Sequence, residues 1–128
     1  MRYLILSDIH ANHLAFRAVL QHAKRQRWDK SIFLGDAVGY YTHPNEVLSL
    51  LQDLQPEFCL LGNHEDLLFR LKDNPNLSAV REDSAVTDVL KDHLQQLSPE
   101  NLSFLKAFRT REQRETWEAV HGGLRSQW

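Results

Sequence analysis

Leu60-Leu61-Gly62-Asn63-His64-Glu65-Asp66 (LLGNHED) joins an apolar run to four consecutive polar or charged side chains across a single glycine. Phe58–Leu61 reads as a strand, and Leu67, Leu68 and Leu71 follow at helical spacing. The expectation is strand, tight break, helix, with the helix stopping near Asn74-Pro75, because the residue before a proline is driven out of the α region. A surface turn can be written with fewer hydrogen-bonding groups than an amide, an imidazole and two carboxylates. This strand end is therefore a candidate for chemistry.

Two earlier stretches have the same form. Tyr3-Leu4-Ile5-Leu6 runs into Ser7-Asp8-Ile9-His10, and Ile32-Phe33-Leu34 runs into Gly35-Asp36. Short continuous apolar runs fit strands buried on both faces. Helical patterns separate them. Asn12 caps one that reaches to about Arg27, and Pro44 opens another carrying Val47, Leu48, Leu51 and Leu54. The order β-α-β-α-β-α predicts right-handed crossovers and a parallel sheet. Ligands of open α/β sheets sit beyond the carboxyl ends of the strands, which is where Asp8, His10, Asp36, Asn63 and His64 fall.

Beyond Pro75, a helix is expected from Val80 to about Gln96, and a second from Ser98-Pro99 through Phe108. Arg109–His121 alternates weakly and reads as a polar hairpin of two strands. No repeat, low-complexity tract or linker interrupts the 128 residues, so residues 1–128 are read as one domain. Net charge is −2, which lacks the basic surface of a general nucleic-acid binder but leaves room for a small anionic ligand held locally. The lone Cys59 lies in an apolar run and reads as a buried inert thiol. No apolar run approaches membrane-spanning length or a secretory core, so the expected location is cytoplasmic, with no membrane partner.

Carboxylates, imidazoles and an amide oxygen suit divalent cations such as Mn²⁺, Fe²⁺ or Zn²⁺, and the absence of thiolates speaks against a structural zinc site. A central carboxylate can bridge two ions about 3.5–4 Å apart, a spacing suited to activating water and neutralising a phosphoryl group. Asp36, from the middle motif, is the natural bridge. His64 follows Asn63 directly and could give a proton to a substrate instead of binding metal.

Four motifs occur in order: SDIHAN (Ser7–Asn12), GDAVGY (Gly35–Tyr40), LGNHED (Leu61–Asp66) and VHGG (Val120–Gly123). Together they resemble the calcineurin-like metallophosphoesterase superfamily, closest to its small bacterial phosphodiesterase branch. The resemblance implies an α/β fold: an αββα sandwich, here shortened at its C-terminal side, around a parallel β-α-β-α-β N-terminal core. It implies that Asp8 and His10 hold a first metal, that Asp36 bridges, that Asn63 and His121 hold a second, and that His64 is the catalytic histidine. The implied reaction is metal-dependent hydrolysis of a small phosphorylated substrate, a phosphomonoester or phosphodiester.

The sequence departs from the family in lacking a final Gly-His-x-His, which supplies one more ligand to each metal. Each ion would keep three protein ligands, so reduced occupancy and impaired activity are expected. Residues Gly123–Trp128 stand where the family builds most of a second sheet, and an uncovered apolar face predicts a homodimer. The alternative function is a non-catalytic metal-binding or protein-interaction scaffold that retains the fold. Read one at a time, the same residues have plainer uses. Asn12 is a helix cap. Glu65 and Asp66 favour a helix N-terminus, with orientation of the site as the other use of both. Tyr40, Tyr41 and Thr42 form a loop that could touch substrate. His13, His22, His43 and His93 are ordinary surface or partly packed histidines.

Overall fold

The computed structural model describes residues 1–77 and 84–125. Its elements are β1 (Tyr3–Leu6), α1 (His13–Ala23), β2 (Lys30–Phe33), α2 (Pro44–Leu54), α3 (Asn63–Asp73), α4 (Ser84–Gln96), α5 (Pro99–Lys106), β3 (Arg111–Gln113) and β4 (Glu118–Val120). β1 and β2 are parallel, with Tyr3 opposite Lys30 and Leu6 opposite Phe33. The third expected strand, 58–61, contracts to two bridging residues. Cys59 pairs with Phe33, and Leu60 pairs with Arg109, both in the parallel sense. Its shortness follows from α3, which begins at Asn63 immediately after Gly62. Arg109 extends the sheet by one further position that no apolar run announces.

Side-chain alternation sends this sheet into two cores. Leu6, Phe33 and Cys59 face the helices and pack with Phe16, Leu48, Leu51, Leu68, Leu71, Leu90 and Leu105. Ile32, Phe58 and Leu60 face the other way, against Tyr3, Leu34 and the hairpin residues Trp117 and Ala119. The layers are helices, parallel sheet and the antiparallel β3–β4 hairpin, the α-β-β part of the sandwich expected above. Burial on both faces holds for β2 but not for β1, where Ile5 is 59 % exposed on the hairpin side.

Helix boundaries follow capping chemistry. Asn12 caps α1 by accepting from the Ala15 N–H at 3.1 Å. Ser98 caps α5 by accepting from Asn101. Pro44 occupies the first position of α2 as expected. α1 ends at Ala23, short of Arg27, since Lys24-Arg25-Gln26-Arg27 is exposed and offers the core nothing to bury. Trp28 closes that end by donating from its indole N–H to the Ala23 carbonyl. α5 ends at Lys106, two residues before Phe108, which turns back into the sheet-facing core. The Val80–Asp83 start of the expected α4 lies outside the described residues. No helix among the described residues is long and apolar enough to cross a membrane.

Candidate metal centre

The loops after β1 and β2 are built against each other. The Asp8 N–H donates to the Gly35 carbonyl, Ile9 and His10 both donate to the Asp36 carbonyl, and Ala11 donates to Ala37, all at 2.7–3.0 Å. These bonds hold a backbone that side chains otherwise resist. Asp8, His10, Ala11, Asp36 and Tyr40 all have φ between 50° and 64°. A left-handed non-glycine residue costs ~1–3 kcal/mol and persists only where its surroundings over-determine it. Among the described residues the one other case is Gln55, the C-cap of α2. Backbone strain is thus concentrated where the motifs place their donors.

The donors converge. His10 Nδ1 lies 2.8 Å from the Val38 carbonyl, and His121 Nδ1 lies 2.8 Å from the Leu34 carbonyl. A carbonyl only accepts, so each ring holds a proton on Nδ1 and turns Nε2 into the site, the orientation that fixes a metal-binding imidazole. Asp36 Oδ2 is 3.8 Å from His10 Nε2 and 3.3 Å from His121 Nε2. Its Oδ1 accepts from the His64 backbone N–H at 3.0 Å. Asn63 Oδ1 is 3.0 Å from His121 Nε2, and Asp8 Oδ1 is 3.5 Å from His10 Nε2. The Ser7 hydroxyl donates to the other Asp8 oxygen. Two overlapping groups of donors result, His10–Asp36–His64 and Asp8–Asp36–His121, each within 4.8 Å, with Asp36 common to both. All six residues singled out in the sequence therefore meet in one place. This set of carboxylates, imidazoles and an amide oxygen fits a hard or borderline divalent cation.

Charge is poised accordingly. Burial alone would raise Asp36, but hydrogen bonds from His121 and from the His64 N–H overcome it and hold the carboxyl below its ordinary value. The same Asp36 contact pushes His121 up to about 9. Glu65 is fully buried on α3 and accepts from the Ala37 N–H at 2.6 Å. Burial first, and then the negative charge of Asp36, push its carboxyl well above the ordinary range. Glu65 therefore braces the Asp36 loop, the orienting use weighed for it above.

Close approach explains two motif glycines. A Cβ on Gly62 would lie 2.1 Å from Asp36 Oδ1, and one on Gly39 would lie 2.2 Å from His64 Nδ1. His64 is buried, its ring 4.7 Å from that of His10 and 4.8 Å from that of Tyr40. Tyr40 is 56 % exposed and forms a wall beside both histidines. Beside Asp8 a recess of about 320 Å³ opens, lined by Ser7, Ala15, Phe16 and Val19 among others.

Of the remaining histidines, His22 and His43 are exposed, as expected, and the His13 ring lies 4.4 Å from that of His43. His93 corrects the expectation: it is fully buried and bonded to the 39–41 loop. The signal was present in its spacing, since Val86, Leu90, His93 and Leu97 lie on one helical stripe.

The sequence model of the calcineurin-like phosphoesterase family matches residues 1–127. A metallophosphoesterase from Sphaerobacter thermophilus superposes with a TM-score of 0.76 at 35% identity, over 99% of this chain and 48% of its own. The Pyrococcus horikoshii protein PH1004 superposes at 0.71 with 18% identity, over 87% of this chain and 49% of its own, a likeness of fold. The uncharacterized Methanocaldococcus jannaschii protein MJ0912 is 44% identical over 63 residues, 48% of this chain and 25% of its own length. The chain thus spans about half the length of the first of these structures and a smaller part of MJ0912.

Proposed function

Since the chain belongs to the calcineurin-like phosphoesterase family, we propose that it hydrolyses a phosphomonoester or phosphodiester at a pair of divalent cations. Asp8, His10 and Asp36 would hold one cation; Asp36, Asn63 and His121 would hold the other. The observation that carries this reading is the placement of Asp36. Its Oδ2 reaches toward the Nε2 atoms of both His10 and His121, while its Oδ1 is occupied by the His64 N–H. One carboxylate oxygen is thereby left between two sets of donors. When bound, the cations supply charge neutralisation at the phosphoryl group and a water of lowered pKa. The protein's own groups do the rest. Asp36 and Asp8 balance the cationic charge, Asn63 adds a neutral oxygen, and His64 delivers a proton to the departing oxygen. Tyr40, its ring 4.8 Å from that of His64, would offer a wall to the ester's organic group.

Hydrolysis of a chromogenic phosphodiester with and without Mn²⁺ tests the proposal. Wild type should be metal-dependent. Asp36→Asn and His64→Ala should each lose at least ~100-fold, the usual scale of a lost acid–base or charge-stabilising group. Equal rates in all three proteins would refute hydrolysis at this site.

A scaffold that keeps the fold without turnover is the second reading. It is favoured by Asp8, whose side chain is 56 % exposed and already engaged by Ser7. Calorimetric titration with Mn²⁺ separates the two, because a scaffold need not take up two ions tightly.

A further inference from the structure

His93 lies on α4, outside all four motifs, yet it is fully buried. Its Nδ1 accepts from the Gly39 N–H at 3.3 Å, and its Nε2 donates to the Tyr41 carbonyl at 2.7 Å. One neutral tautomer, protonated on Nε2, satisfies both partners. Between them stands Tyr40, at φ 62°, following Gly39 at φ 91°. The helix that carries His93 is itself fastened to the start of α2. The Asn45 amide donates to the Gln96 carbonyl at 2.8 Å and accepts from the Ser98 N–H at 3.0 Å. On the site side, the Tyr41 N–H reaches the His10 carbonyl at 3.2 Å. The loop is thus pinned from two directions, with one side chain projecting over the histidines.

We propose that His93 is a positioning residue: by clamping the backbone on both sides of Tyr40, it holds the tyrosine ring against His10 and His64 and so sets the wall of the site. Without the clamp, a buried N–H and a half-buried carbonyl lose their partners together, and an uncommon backbone conformation loses its support. The wall then samples other positions, and the organic group of the ester loses its contact surface. The kinetic half of this proposal rests on the hydrolytic reading above; the structural half does not.

The test compares wild type with His93→Phe, which keeps ring volume without either hydrogen bond. His93→Gln is the second variant, since its amide offers an acceptor and a donor. Amide hydrogen exchange across Gly39–Thr42 should quicken about tenfold in His93→Phe and return toward wild type in His93→Gln. For phosphodiester hydrolysis with Mn²⁺, KM should rise more than kcat falls, and His93→Phe should add little to Tyr40→Ala. Unchanged exchange in His93→Phe overturns the proposal, and so do fully additive effects of His93→Phe and Tyr40→Ala. If His93→Phe does not fold, ¹⁵N NMR of the wild-type ring decides: a slowly exchanging Nε2–H with unprotonated Nδ1 supports the clamp, and the opposite tautomer overturns it. A wild-type protein without hydrolytic activity would sink the hydrolytic reading alone, since exchange and tautomer still report on the clamp.

Discussion

Asp36, Glu65 and His121 share out the charge of the site between them. Glu65 is buried beside an ionised Asp36, and its carboxyl is pushed toward the protonated form. A glutamine presents nearly the same neutral shape. Urea unfolding should therefore find Glu65→Gln near wild type. Glu65→Leu should be weaker by about 1–3 kcal/mol, because it orphans the Ala37 N–H. His121 behaves oppositely. Its folded pKa of about 9 stands above the ordinary 6.5 because it bonds to Asp36. The stabilisation from that pair is complete below about 6.5 and fades as pH rises through about 9. A cation at Nε2 must displace that proton, so Mn²⁺ affinity should climb with pH by up to roughly tenfold per unit until His121 is deprotonated. Calorimetry in buffers of differing ionisation enthalpy should show a proton released on binding; flat affinity across this range would remove His121 from the ligand set. Cys59 takes no part in this chemistry, since burial pushes its thiol up to about 12.

Secondary-structure elements matter here mainly through their ends. β1 and β2 each deliver a left-handed loop, and α3 begins at Asn63, so its first turn carries Asn63, His64 and Glu65 into the site. α1 is launched by Asn12, whose side-chain oxygen accepts from Ala15. Thermal unfolding of Asn12→Ala should report a loss of about 1 kcal/mol, the ordinary value of an N-cap. Mn²⁺ affinity should change little, because Asn12 acts on the helix. A collapse of metal affinity at unchanged stability would instead place Asn12 in the site.

Across the whole molecule, the sheet separates two unequal interiors. The helix side is closed by buried leucines and phenylalanines. The hairpin side leaves a groove of about 550 Å³ lined by Tyr3, Ile5, Leu34, Trp117, Val120 and Leu124, in which Ile5 is 59 % and Leu124 64 % exposed. Apolar surface left open in this way favours self-association. The expected outcome in light scattering is a concentration-dependent mass of two chains, reduced to one by Ile5→Lys. A monomer at every concentration would show that this groove does not bring copies of the chain together.

The β-α-β-α-β order, the helix starts at Asn12, Pro44 and Ser98, and the polar residues that gather beyond the strand ends were all legible in the sequence. Those properties are local: apolar period, capping oxygens and strand-end polar residues are written within a few positions of one another. It did not disclose that strand 58–61 contracts to two residues, or that Arg109 lies beside Leu60, because pairing depends on the neighbouring chain and not on local pattern. Nor did it disclose the role of His93. Its ring lies between residues 54 and 52 positions away, and a histidine on an apolar stripe looks the same whether it fills space or clamps a loop. The difference lies in packing, which brings a backbone donor and a backbone acceptor to the two sides of one ring.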